Sequence, residues 1–192
     1  QAVKLLDGLV ETSPLDASLY CERAAAHAAA RRGARSRDDG HTAIYLERKA
    51  AGDPMRAATW GERAEDLKVV ARHPARGYLL KGRAEMQLCA FFDAMRTFQH
   101  GCKADPADRA LRDAWFGAKN VAKTFRSASR LKHGGEEARA LAFESARQPV
   151  LHQLATLPEA ADRAHGYANL AELHAQCGRH AEARCGAHAA SN

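Results

Sequence analysis

Aromatic side chains are scarce in this chain of 192 residues: they make up 6%, and only two are tryptophan. β-Sandwiches and barrels fill their cores with aromatic and β-branched residues. A chain rich in alanine instead excludes those folds and calls for closely packed helices. No apolar run approaches the roughly 18 residues that a membrane-spanning helix needs, which excludes a helical span. Cysteine supplies no framework either. Cys21, Cys89, Cys102, Cys177 and Cys185 are odd in number and irregular in spacing, the usage expected of a reducing, cytoplasmic compartment without structural disulfides. Signatures of catalysis are missing too: no Gly-rich loop ending in Lys-Ser/Thr, no His-Glu-x-x-His, no Gly-x-Ser-x-Gly and no Cys-x-x-Cys. The expectation is a protein that is not an enzyme and uses no cofactor.

Hydrophobic residues make up 46% of the chain and charged residues 27%, too apolar a mixture for intrinsic disorder. The net charge of +6 favours acidic partners, whether nucleic acid, an acidic peptide or a charged surface. Lys4 and Asp7 interrupt the first apolar stretch, so it does not read as a signal peptide. A chain opening on Gln1 is expected to be a fragment or a processed product, with any targeting segment missing.

The helical period runs throughout. Val3, Leu6 and Val10 share one face of a first helix, and Asp16 caps a second that reaches about Arg32. Residues 33–54 loosen into an Arg-, Asp- and Gly-containing stretch with a short helical candidate at 42–51. Asp53-Pro54 then opens a helix through Trp60 to His73-Pro74. Further helices are predicted at about 76–88, 91–103 and 107–132. After a hinge at His133-Gly134-Gly135, others follow at 136–147, 150–157, 159–176 and 179–190, and no segment reads as a strand.

Four of the six prolines, Pro14, Pro74, Pro106 and Pro158, end a predicted helix, and for three of them an alanine (Ala2, Ala94, Ala146) stands twelve residues earlier. The pattern is fullest at Tyr78, Gly82, Leu88, Phe91, Ala94, Phe98 and Asp105-Pro106, and it recurs at Tyr167, Leu170, Ala171, Gly178 and Ala183. These segments resemble the tetratricopeptide repeat (TPR), a helix-turn-helix unit of about 34 residues. The rival is an ordinary helical bundle with coincidental prolines. The resemblance implies an all-α fold, an α-solenoid of TPR-like hairpins stacked through small-residue notches, with a long capping helix. It divides the chain into repeats over 1–106, a basic capping helix over 107–133, and a second helical group over 136–192 that ends in a truncated repeat. The unit opening at Leu19 would be interrupted by an insertion at about 33–57, either a solvated loop or a partner-binding arm, with 60–74 as its second helix.

On the long helix, Leu111, Trp115, Ala118, Ala122 and Phe125 form an apolar seam, and Lys119, Lys123, Arg126 and Arg130 a basic stripe. The stripe is either a solvated face or a contact for an acidic protein or nucleic acid. His174, Cys177, His180, Cys185 and His188 are zinc-ligand residue types. Their spacing matches no compact ligand set, and structural histidines are the preferred reading. The tandem Leu-Tyr-x-x-Arg-Ala and Pro-x-x-Gly-Tyr-x-x-Lys-Gly is most similar to the TPR domains of Hsp70/Hsp90-organising co-chaperones. That family grips a C-terminal carboxylate with an asparagine, a lysine and an arginine. Here Arg76 can stand for the lysine, but Glu22 occupies the asparagine position and Leu80 the arginine position, so the clamp is not kept. The resemblance then implies a peptide groove lined by Glu22, Arg76, Leu79, Leu80, Arg83, Met86, Asn169 and Glu172, open to a segment mixing acidic and hydrophobic residues. The function expected is a protein-interaction scaffold. Its rivals are a nucleic-acid or ribonucleoprotein component using the basic helix, and a structural subunit of a large assembly.

Overall fold

The computed structural model describes residues 1–50, 75–130, 135–158, 160–176, 179 and 182–184. The expected all-α class is present, and among these residues no strand occurs. In chain order the helices are α1 (Ala2–Thr12), α2 (Ala17–Ala29), α3 (Gly33–Ala50), α4 (Arg76–Gln87), α5 (Phe91–Ala104), α6 (Arg109–Arg130), α7 (Glu136–Thr156) and α8 (Ala160–Gln176). None is long and apolar enough to cross a membrane.

Local chemistry sets the helix ends. Asp16 accepts a hydrogen bond from the Ser18 amide at 2.9 Å and opens α2, satisfying a donor that has no partner within the helix. Helices α2 and α4 close alike. Arg31 and Cys89, 58 residues apart, both take the left-handed conformation, with φ of 57° and 60°. Around them the Arg32 amide donates to the His27 carbonyl at 2.9 Å and the Ala90 amide to the Glu85 carbonyl at 2.8 Å. The Arg31 amide donates to Ala28 and the Cys89 amide to Met86. This pair of bonds is the Schellman closure of a helix C-terminus. A third bond of the longer type joins the Arg179 amide to the His174 carbonyl at 2.8 Å.

The expected insertion is corrected over its described part: the short helix expected at 42–51 is present through residue 50 but begins at Gly33, so residues 33–50 are the helix α3, packed against α2. Residues 51–57 and the helix expected over 54–74 lie outside the described residues. Apolar periodicity misses α3 because several of its buried positions are polar. Ser36 donates to the Ala24 carbonyl at 2.9 Å. Asp39 receives the Arg23 guanidinium through two bonds of 3.0 and 2.8 Å, while a third bond from Arg23 reaches Asp7 on α1. Buried polar groups partnered in this way are tolerated.

Helix α4 packs against α2, α3, α5 and α6. A Cβ on Gly82 would stand 2.4 Å from the Phe98 ring, and one on Gly101 2.8 Å from the Cβ of Tyr78, so α4 and α5 touch along their length. Toward α3, a Cβ on Gly40 would meet the Lys81 backbone nitrogen at 2.9 Å. Ala94, Phe98, Leu111 and Ala118 form the core beneath. A second core collects Cys89, Phe91, Phe125, Phe143, Ala146, Val150 and Leu173. Thus α6 buries its apolar seam on α4 and α5 and carries α7 and α8 farther along.

Two expected helices, 136–147 and 150–157, are a single helix with Pro149 inside it. Proline forfeits one backbone bond and costs about 3 kcal/mol in a helix interior. Phe143 and Ala146 on one side of it and Val150 on the other enter the same core, which holds both halves in line. Helix α8 then crosses the ends of the first two hairpins. The Asp162 carboxylate, 1% exposed, accepts from the Gly33 amide at 2.6 Å and the Ala34 amide at 3.0 Å. Seven residues on, Asn169 donates from Nδ2 to the Cys89 carbonyl.

Replacing Gly82 by alanine should destabilise the fold by about 1–3 kcal/mol, because the buried Phe98 ring cannot retreat. Gly117, with open space around its Cβ position, gives the opposite sign: alanine there should stabilise by about 0.5–1 kcal/mol. Urea-unfolding midpoints of the two variants measure this, and equal midpoints would refute the packing account.

Candidate functional site

The residues expected to line one peptide groove do not converge on one surface. Glu22 and Arg76 do meet, with Arg76 Nη1 2.8 Å from Glu22 Oε1, but each then answers the other's charge. Leu80 is corrected: it is 8% exposed and packs with Cys21, Ala24 and Ala43 in the core, so it lines no groove. Leu79 leans on the Phe98 core, and Met86 touches both larger cores. Arg83 is exposed on α4. Asn169 sits on α8 at the α4–α5 turn, tied to Cys89, and Glu172 is exposed one turn beyond it. Side chains at i and i+3 or i+4 share a helix face. From Arg76 that rule reaches Leu79, Leu80 and Arg83, but α3 and α5 cover part of the face it selects.

Helix α6 presents the other expected feature. Lys119, Lys123 and Arg126 are exposed along it; the Arg130 side chain lies outside what is described. Lys119 Nζ sits 4.7 Å from the Trp115 ring centre, and the Arg126 guanidinium 5.4 Å from that of Phe92. Such cation–π contacts fix the direction of the charge. Beside Lys123 a groove of about 640 Å³ opens between α6 and α7, walled by Asn120, Thr124 and Ser127 on one side and Ala138, Leu141, Ala142 and Ser145 on the other. Leu141 is 72% exposed, and Phe116, 53% exposed, extends the α6 wall by one turn. Sequence reasoning missed the α7 wall. Its signal was available: Leu141 falls off the Phe143, Ala146, Val150 stripe, so a continuous helix must turn it outward.

Of the zinc-ligand types, His174 lies edge-on to Phe143, with ring centres 4.8 Å apart. Cys177, His180, Cys185 and His188 lie outside the described residues. Among the described residues no group of three or more metal-binding side chains occurs. No protein-family model and no curated protein matches the sequence.

Several titratable groups are buried. Burial pushes the thiols of Cys21 and Cys89 up to about 12, so neither supplies a thiolate nucleophile near neutral pH. Burial lowers His27, with Arg35, Arg23 and Arg32 adding to the effect against the pull of Asp39. Burial alone raises Glu47 from 4.5 to about 7. A carboxyl raised in the folded state keeps its proton there after the unfolded chain has lost it. Its stabilisation is therefore complete below about pH 4.5 and is lost as pH rises through 7. The span corresponds to roughly 3 kcal/mol. Glu47→Gln should gain on the parent protein by up to that amount between pH 5 and 8, measured by urea unfolding across the range. A difference independent of pH would contradict the assignment.

Proposed function

We propose that this chain is a non-enzymatic protein-interaction scaffold of TPR-like helical hairpins. It receives an acidic amphipathic segment in the groove between α6 and α7. The repeat reading is supported by equivalent residues in equivalent places. Ala24 and Ser36 in the first hairpin correspond to Gly82 and Ala94 in the second, twelve residues apart in each case, and both hairpins turn through a left-handed residue. First helices lie beside first helices, α2 against α4 and α4 against α6.

The α6–α7 groove carries the functional reading. Its lining combines the exposed Leu141 with the ammonium group of Lys123, and Phe116 and Lys119 are exposed on α6 beyond it. No acidic residue occurs on α6 after Asp113; on α7, Glu144 faces Arg147 at 3.3 Å, and Glu136 and Glu137 stand in the first turn. An amphipathic helix with leucine-like anchors and flanking carboxylates matches this surface in shape and sign. The co-chaperone-like face between α2 and α4 is the weaker site, because Glu22 neutralises Arg76 and Leu80 is buried.

A fluorescein-labelled acidic amphipathic peptide should bind in an anisotropy titration. Leu141→Asp and Lys123→Glu should each weaken it about tenfold or more, a loss typical of a desolvated anchor or a paired charge. Loss on Arg83→Glu instead would place the partner on the α2–α4 face. A labelled single-stranded RNA that binds more tightly, with affinity collapsing uniformly as salt rises, would overturn the protein-partner reading.

A further inference from the structure

The outer face of α1 is apolar and bare. Leu5 is 72% exposed and Leu9 50%; four residues apart, they share one face of the helix. Beside them Gly8 has nothing within 4 Å of its Cβ position, so the backbone there is open to close approach. Single exposed leucines are ordinary on a protein surface, but these two fill positions that both complete hairpins bury. Ala2, Leu5 and Leu9 stand 34 residues before Ser36, Asp39 and Ala43 of α3, and 34 is the length of one repeat. Those three stand 58 residues before Ala94, Thr97 and Gly101 of α5, and all six are buried.

In each hairpin the first helix covers these positions. Asp39 receives the Arg23 guanidinium of α2, and Ala43 packs with Cys21 and Ala24. Thr97 bonds Glu85 of α4, and a Cβ on Gly101 would stand 2.8 Å from the Cβ of Tyr78. The opposite side of α1 keeps the same register. Val10, 34 residues before Ile44, is buried as Ile44 is, and α1 packs on α2 as α3 packs on α4. Helix α1 therefore holds the place of a second helix, and its bare face is the one a first helix would cover. We propose that this face docks one amphipathic helix of a partner polypeptide, seated as the first helix of a hairpin. The inference rests on the repeat reading of the hairpins and is independent of the α6–α7 groove.

The neighbouring side chains set the chemistry of that helix. Asp39 calls for a guanidinium and Thr97 for a carboxyl, but Leu5 in the same place calls for an apolar side chain, because a charge buried against it would lose water without gaining a partner. Lys4 and Glu11, one charge of each sign, are exposed on α1, and Asp7 is held by Arg23 at 3.0 Å. The face thus selects neither sign of charge, unlike the α6–α7 groove. A second copy of the chain is a poorer occupant, since α2 and α4 already bury the matching face on α3 and α5.

A synthetic peptide of residues 16–32, the α2 sequence, carrying Arg23→Leu and His27→Leu, tests this by NMR titration into the isotope-labelled protein. The two exchanged side chains are those that face Asp39 in the parent hairpin, at 2.8 and 3.8 Å. The altered peptide should give saturable shifts at residues of α1, with a dissociation constant in the millimolar range or tighter. The unaltered sequence should bind about tenfold more weakly, because its Arg23 would be stripped of water against Leu5. In the protein, Leu5→Asp and Leu9→Asp change exposed side chains. Each should weaken the altered peptide about tenfold or more with the unfolding midpoint unchanged, while Leu141→Asp should bind it like the parent protein. Absence of shifts at α1 would overturn the inference and leave the α6–α7 reading standing. Shifts centred on α6 and α7 and lost on Leu141→Asp would overturn it too, as would α1 shifts that appear on concentrating the protein alone, which would make a second copy the occupant.

Discussion

Among the described residues helix α4 packs against α2, α3, α5 and α6, and it can do so because Gly77 and Gly82 have no side chains. Five residues of α-helix place these positions about 140° apart around the axis, so they open opposite sides. Gly77 admits Ile44 of α3, whose backbone nitrogen would lie 3.2 Å from an added Cβ, and Gly82 admits the flat face of Phe98 from α5. Helices ordinarily pack 8–10 Å apart, depending on the side chains between them. Glycine on both sides allows the close end of that range and brings the flanking helices to a common thickness. The two hairpins, α2 with α3 and α4 with α5, then lie side by side, and α8 meets the turns of both.

Those turns are what α8 joins. Asp162 reaches the first amides of α3, and Asn169 reaches the carbonyl of Cys89 in the turn before α5. Seven residues of helix advance about 10.5 Å, which is close to the separation of neighbouring packed helices. One straight helix therefore meets successive hairpin ends in phase. The carboxylate lies where α3 has unpaired N–H groups and the positive end of its dipole, so a nearly fully buried charge becomes tolerable there. Removing either polar contact would leave buried backbone groups without partners, which links the C-terminal helices to the N-terminal hairpins by more than apolar contact.

Much of this was legible in the sequence wherever buried positions are apolar or small. Gly82 and Ala94 marked the α4–α5 hairpin, and the seam from Leu111 to Phe125 marked α6. The reading failed where burial and polarity coincide. Ser36, Asp39, Glu47 and Lys49 are all buried on α3, so a pattern built on hydrophobicity finds only the short helix expected at 42–51 and reads the start of α3 as a loop. Pro149 misled for a related reason, since local chemistry argues for a break and only the shared core of Phe143, Ala146 and Val150 argues against it. Surface sites suffered most. Leu80 obeys the spacing of an exposed groove position yet is covered by a neighbouring helix, and no single-helix pattern contains that neighbour.

Helices α3, α4 and α5 stand at separations set by backbone-close contacts at Gly40, Gly77 and Gly82. The α6–α7 groove has a different construction. Its α7 wall packs on the core through Phe143, Ala146 and Val150, while Ala138, Leu141 and Ser145 are exposed. A partner helix brings its own rigid surface and can settle along such a groove, burying Leu141 and Phe116 wherever its apolar row falls. An adjustable apolar channel of this kind would suit a peptide helix better than a small ligand, which cannot spread to bridge a gap.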